Sequence, residues 1–288
     1  VIDFQKDPSD ECKNFVIPGV QHKYEPTVLI LTTNKCFQYC THCFRKRNFD
    51  KDEEICKDEN YKKVFEYISN HSKISNILLS GGDPLTLPTK KLKYIIENIP
   101  KNILIRIGTR ALTFKPEAFN PIIDILKSRN IQIVSHINSI EDLQKDSSIK
   151  MIHKLRSNGI NIRSQTVFLR NINDTPEKLI NFYRLITNLG IFPYYLFQCR
   201  PVTNNEKFVI PIIEGIKIIK ETRKYLSGLE KSFRFIASTK FGKIEILDFD
   251  SKINILIYKF HQSNNINLID KVFCQYINKN EIWINHID

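Results

Sequence analysis

From residue 27 onward the sequence alternates short apolar runs with amphipathic stretches about six times, and this rhythm restricts the fold more than any other feature. Partly β-branched runs fall at 28–32, 77–80, 103–107, 131–135, 162–167 and 193–197. Helical patterns lie between or after them at 61–69, 89–98, 116–128, 149–157, 176–189 and 214–226. Each run is short and almost continuously apolar, as in parallel strands covered by helices on one side and packed on the other. Alternating strands and helices imply right-handed crossovers and a parallel sheet, open or closed.

Polar residues follow these strands directly. Cys36 follows the first, Gly81-Gly82-Asp83 the second, Gly108-Thr109-Arg110 the third, and His136 with Asn138 the fourth. Gln165 lies near the end of the fifth, and Gln198-Cys199-Arg200 follow the sixth. Polar groups at the C-terminal ends of successive strands are how a β/α barrel assembles a site on one face. Beyond residue 228 the rhythm changes to strand-like runs at 233–237, 244–247, 253–257 and 282–284. The expected layout is an irregular lead-in over 1–26, a (β/α)6 core over 27–227 and a small β-rich extension over 228–288, continuous with the core.

Hydrophobic residues make up 42% of the 288, and no apolar run approaches the roughly 18 residues of a membrane span. The chain opens at Val1 without a basic-then-apolar leader, which argues against secretion, and without a Met, which suggests a trimmed N-terminus. The seven cysteines are odd in number and three crowd together, too tightly for a disulfide framework, so a reducing cytoplasm is expected. The net charge of +12 accompanies Lys, Asn and Ile abundance along the whole chain. It forms no stripe interleaved with aromatics, so a nucleic-acid surface is not expected.

The crowded cysteines read Cys36-Phe-Gln-Tyr-Cys40-Thr-His-Cys43. Four thiolates saturate a cubane iron–sulfur cluster, whereas three leave one iron open for a ligand. On that iron the amino and carboxylate groups of S-adenosylmethionine can chelate, and electron transfer into the sulfonium releases a 5′-deoxyadenosyl radical. Cys40 and Cys43 are three apart, the spacing of one helical face, with Cys36 reaching in from the preceding loop. The rival is zinc, which needs a fourth ligand; no second C-x2-C exists, and His42, adjacent to Cys43, would point away. The Ser80-Gly81-Gly82-Asp83-Pro84 turn, one β/α unit later, lets backbone approach a ligand closely.

These motifs resemble the lysine 2,3-aminomutase family of radical S-adenosylmethionine (SAM) enzymes. The matching stretches are His22-Lys-Tyr24, Leu31-Thr-Thr-Asn-Lys-Cys36, Tyr39-Cys-Thr-His-Cys-Phe-Arg-Lys-Arg47, Leu79-Ser-Gly-Gly-Asp-Pro84 and Ile105-Arg-Ile-Gly-Thr-Arg110. They continue with Ser135-His-Ile-Asn138, the run from Ser164 to Asp174, and Pro193-Tyr-Tyr-Leu-Phe-Gln-Cys199, in order up to about residue 247. The resemblance implies a partial, TIM-like (β/α)6 barrel of the radical SAM type. It implies a [4Fe-4S] cluster on Cys36, Cys40 and Cys43, with SAM against His42, Ser80, Gly81, Gly82, Asp83, His136, Asn138 and Gln165. It also implies pyridoxal phosphate (PLP) carried by Lys243, in Gly242-Lys243-Ile244, with Lys23 and Tyr24 beside it. The reaction implied is migration of an amino group from C2 to C3 of an amino acid, with Arg45 pairing the substrate carboxylate. The partners expected are a small amino acid and an external flavodoxin- or ferredoxin-type electron donor, with self-association left open.

Four departures bear on substrate and cofactor. Arg200 stands where lysine-specific members carry an aspartate for the distal ammonium, and 235–239 lacks a second aspartate. A cation there repels lysine and suits a carboxylate-bearing side chain, unless Arg200 forms a structural pair facing elsewhere. The glycine-rich run before Lys243 is reduced to Ser238-Thr-Lys-Phe-Gly242, and Thr27 replaces an arginine that helps hold PLP phosphate in the family. Two alternatives remain open: a PLP-independent radical enzyme acting on a peptide or nucleic acid, and a non-catalytic cluster or zinc protein that binds RNA.

Overall fold

In the computed structural model, which describes residues 4–48 and 55–287, the alternation becomes one curled sheet. Among the described residues twelve strands are hydrogen-bonded in chain order. A hairpin of β1 (Phe15–Ile17) and β2 (Val20–Tyr24) pairs antiparallel with β3 (Thr27–Thr33). From β3 the strands run parallel through β4 (Asn76–Gly81), β5 (Leu104–Thr109), β6 (Gln132–His136), β7 (Ile162–Phe168) and β8 (Phe192–Gln198) to β9 (Arg234–Ser238). Then β10 (Gly242–Asp250), β11 (Ile255–Ser263) and β12 (Val272–Tyr276) fold back antiparallel. The crossovers carry α1 (Tyr61–Asn70), α2 (Thr89–Asn98), α3 (Ala111–Phe114), α4 (Ile123–Ser128), α5 (Asp146–Ser157), α6 (Pro176–Asn188) and α7 (Ile212–Lys224). Start signals are local: Pro176 opens α6 and the Thr175 hydroxyl accepts from the Lys178 amide at 3.3 Å.

Period two decides what each strand side does. Val28, Ile30, Ile77, Leu79, Ile105, Ile107 and Ile133 are buried with Val64, Leu92, Ile96 and Leu155 of the helices in one core. Each such side chain contributes roughly 1.5–3 kcal/mol by leaving water. The alternate positions, among them Leu29, Leu78, Arg106, Val134 and Val167, face inward on a cavity of about 310 Å³. A closed β/α barrel fills its interior with stacked side chains; this partial barrel keeps a chamber.

All six expected strands form, and the α/β partial barrel is present. Four local expectations change. The lead-in is not irregular: β1 and β2 extend the sheet, and Ser9 Oγ donates to Ser238 O at 2.7 Å, so the segment straps across the strand ends. The 116–128 helix is broken, a 3-10 stretch at Pro116–Ile122 preceding α4, because Pro121 has no amide to donate. The boundary at 227/228 does not divide the sheet, since β9 pairs parallel with β8 and adds a seventh parallel strand to the barrel. Finally, 282–284 is buried without forming a strand. The adjacent Glu281 carbonyl accepts from Ile212 N at 2.8 Å, and the Ile282 carbonyl accepts from Gln198 Nε2 at 3.0 Å.

Candidate active site

Every site residue read from the sequence lines the chamber except Asn138. The cysteines occupy the loop after β3, where Cys43 N donates to Cys40 O at 3.0 Å in a turn rather than a helix. The glycine turn ending β4 fixes this loop. Gly82 N donates to Thr33 O at 2.5 Å and Asp83 N to Lys35 O at 2.7 Å. Gly81 has φ +118, and a Cβ on Gly82 would stand 2.2 Å from Lys35 O. The glycines thus permit backbone to approach backbone, where the sequence suggested approach to a ligand. Asp83 is likewise engaged in the turn, accepting from Thr109 Oγ1 at 2.8 Å, Arg110 N at 2.8 Å and Leu85 N at 3.1 Å.

Burial, with Asp83, Cys43 and Cys40 adding repulsion, pushes the Cys36 thiol up to about 12, and burial also raises Cys43. Three thiolates so placed need a cation among them. Among the described residues no trio of His, Cys, Asp or Glu is closed into metal-ligating geometry. Cys40 Sγ accepts instead from Arg110 Nη1 at 2.8 Å, and Arg110 is anchored by Asp142 at 2.8 Å. His42 and His136 stack edge-on at 5.4 Å. Burial holds both imidazoles at about 3, hence neutral, each with nearby positive charge adding to the effect. Asn138 sits behind them, its amide 3.3 Å from His42 Nε2 and 3.0 Å from His136 Nε2, and accepts from Val167 N at 3.0 Å. It positions the histidines rather than facing the chamber.

The opposite wall carries Lys243. Because β10 reverses β9, the start of β10 lies at the same end as the C-termini of the parallel strands. Gly242 has φ +151, and a Cβ there would meet Gln262 O at 2.2 Å. A register shift follows Lys243 against β11, a bulge that re-aims side chains. Lys243 Nζ donates to Gln262 Oε1 at 2.8 Å and stands 4.5 Å over the Tyr24 ring. Burial, then the charges of Arg106, Lys23 and Arg200, push this amine down to about 7. Burial and Arg200 lower Lys23 to about 8, while its ammonium donates to Thr239 O at 2.8 Å.

Three features of this wall escaped sequence reasoning. Arg106 faces inward and donates to Asn76 Oδ1 at 2.5 Å, the same atom that Thr27 Oγ1 reaches at 3.2 Å. A guanidinium therefore stands beside Thr27; the available signal was a charge at an inward position of an apolar strand. Gln21 Nε2 and Gln198 Oε1 are buried without a hydrogen-bond partner on the chamber wall. Glu11, from a 3-10 turn of the lead-in, meets Arg45 at 3.2 Å, Arg47 at 3.0 Å and Arg200 at 3.5 Å. Burial alone would raise its carboxyl, but Arg45, Arg200 and Arg47 outweigh that and hold it at about 2. Arg200 thus both pairs with an acid and lines the chamber, and it stacks 3.8 Å over Phe44.

Comparison with known proteins agrees with this geometry. The Radical SAM superfamily model matches residues 30–183. A putative L-lysine 2,3-aminomutase of Aquifex aeolicus is 36% identical over 258 residues, covering 84% of this chain and 67% of that protein. The chain belongs to the lysine 2,3-aminomutase family of radical SAM enzymes. The L-lysine 2,3-aminomutase of Clostridium subterminale is 31% identical across 77% of this chain and 55% of its own length, so this family member spans little more than half of that relative. A radical SAM methyltransferase from Sphaerobacter thermophilus shares the fold, with TM-score 0.52, 13% identity and coverage of 75% of this chain and 68% of that one. The radical SAM family implies a [4Fe-4S] cluster and SAM, and Cys36, Cys40 and Cys43, on one loop of the chamber wall, are the sulfur donors that would hold the cluster. Among the described residues no helix is long and apolar enough to cross a membrane.

Proposed function

We propose that this protein is a PLP-dependent amino-acid 2,3-aminomutase whose substrate is an acidic amino acid rather than lysine. The observation that carries the reading is Lys243: an amine held near neutrality, sharing one chamber with the three cysteines. An unprotonated lysine amine is the nucleophile that a carbonyl cofactor requires. Lys23 and Arg106 supply cationic partners for a phosphate, and the unpartnered Gln21 Nε2 offers a further donor. When bound, the cluster and SAM supply a hydrogen-abstracting radical and PLP carries the migrating amine.

The chain's own residues bind and orient. Arg45 offers a guanidinium to an α-carboxylate. Arg200, on the chamber wall where a lysine substrate would need an anion, offers a second to a side-chain carboxylate. Neutral His42 and His136 add no charge near the cysteines. The strap over 4–14 and the β10–β11 hairpin add Ser9, Glu11, Asn14, Lys243 and Gln262 to the chamber wall.

The test is anaerobic incubation of the reconstituted protein with SAM, PLP, reductant and either L-glutamate or L-lysine. A 3-amino product from glutamate, formed over many turnovers without stoichiometric loss of SAM, is expected. A 3-amino product from lysine alone would refute the substrate assignment. 5′-Deoxyadenosine formation with no dependence on PLP would favour the PLP-independent reading.

A further inference from the structure

The chamber's cations have a resident carboxylate that comes from outside the barrel. Glu11 Oε1 accepts from Arg45 Nη2 at 3.2 Å and Arg200 Nη1 at 3.5 Å, while Oε2 accepts from Arg45 Nε at 3.4 Å and Arg47 Nη2 at 3.0 Å. The four side chains are all largely buried, between 10% and 16% exposed. Charge-assisted contacts of this kind are the geometry in which guanidinium recognises a carboxylate. We infer that Glu11 is a tethered stand-in for a ligand carboxylate, and that a carboxylate ligand enters by displacing it from Arg45 and Arg200 onto Arg47.

The chamber wall carries more cations than carboxylates. Lys23, Arg45, Arg106, Arg110, Arg200 and Lys243 line the chamber, against the carboxylates of Glu11 and Asp83, and Arg110 already has its own carboxylate in Asp142 at 2.8 Å. Asp83 is already occupied by the Thr109 hydroxyl and two backbone amides, which leaves Glu11 as the anion shared by the arginines. Arg47, its shortest partner, lies outside the chamber lining and also meets Asp7 at 3.6 Å. Glu11 can therefore keep Arg47 while giving up the two chamber arginines. That exchange needs only a side-chain rotation in a four-residue 3-10 turn of the strap.

The exchange sets a threshold by chemical class. A ligand with one carboxylate replaces Glu11 like for like and gains little. One with two brings a further anion to a cationic surface that holds a single shared one. The inference rests on reading the chamber as a carboxylate-accepting amino-acid site, so the probe is glutarate, which has two carboxylates and no amine. Its binding reports on the arginines and not on PLP or radical chemistry, so a failed aminomutase assay leaves the result intact.

Glutarate affinity is measured by calorimetric titration of the full chain and of Glu11→Gln. The expected result is binding tighter by about tenfold or more in Glu11→Gln, since the competitor is gone. Removing Glu11 also leaves buried guanidiniums without their anion, so the melting temperature falls, and glutarate should restore it more in the variant than in the wild type. Adding Arg200→Gln to Glu11→Gln should abolish the gain. If Glu11→Gln does not fold, Glu11→Asp, which keeps the charge but withdraws the carboxylate, should tighten binding severalfold. Unchanged or weaker glutarate binding in the folded variant would overturn the inference. So would inorganic phosphate binding the vacated site more tightly than glutarate.

Discussion

The cysteine wall is made by one loop and the turn beside it, whereas the lysine wall is gathered from both ends of the chain. On the first, Gly82 N and Asp83 N close onto Thr33 O and Lys35 O of the loop that carries the thiols. On the second, Ser9 meets Ser238 across 229 residues and Lys23 meets Thr239 across 216. The first wall depends on backbone geometry that few residues can supply. The second depends on charges balanced across a fold: neighbouring arginines hold Glu11 at about 2 against its burial, while burial and neighbouring cations together lower Lys243 to about 7 and Lys23 to about 8.

Separating the walls gives the largest expected effect. Cys36→Ala, Cys40→Ala or Cys43→Ala should each reduce iron–sulfur content, read by iron analysis and electron paramagnetic resonance, to background while the chain stays folded. Glutarate binding on the far wall should persist in these variants. Its loss would show that the walls do not form independently.

Gly82→Ala comes next, because its Cβ meets a backbone oxygen at 2.2 Å that only a shift of the cysteine loop can relieve. A destabilisation of roughly 1–3 kcal/mol is expected, with iron loading impaired. Gly242→Ala makes a similar collision, with Gln262 O at 2.2 Å, and should spare iron loading while disturbing Lys243. Equal effects of both variants on iron loading would erase the distinction between walls.

The pH dependence of stability addresses the lysine wall alone. Lys243 is lowered from 10.5 to about 7, so between those values the unfolded chain holds a proton there that the folded chain does not. Its contribution to stability therefore rises with pH across that window and is lost as pH falls toward 7. Lys243→Met should remove that slope, so the melting-temperature difference between variant and wild type should narrow from pH 7 to pH 10. A pH-independent difference would mean that the amine is not depressed. Smallest is Ser9→Ala, which removes the 2.7 Å bond to Ser238 O and should cost about 1 kcal/mol, with faster amide exchange confined to the strap.

What the sequence made legible follows the same division. The six strands and the cysteine and glycine motifs were readable because period-two burial, tight spacing and glycine placement are local signals. Lys243 was found through the family pattern around Gly242, not from any local pressure on a lysine. Glu11 was invisible because Asp7-Pro8-Ser9-Asp10-Glu11 reads as a solvated loop until three arginines from 45, 47 and 200 close around it. The β1–β2 hairpin was missed for a related reason. Val20 and Tyr24 become strand residues by pairing with Ile30 and Thr27, and Pro18 and Pro26 hide that pairing. The partners of the Asn138 side chain, two histidines and a backbone amide, are set by the fold and leave no local signal in the sequence.

Borohydride trapping after PLP loading tests most directly the proposed role of Lys243 as the cofactor lysine of the chamber that holds the cysteines. Peptide mapping should place the reduced pyridoxyl label on Lys243, with labelling increasing as pH rises through about 7 and absent in Lys243→Met. A label on Lys23 or Lys240, or no label on any lysine, would contradict it.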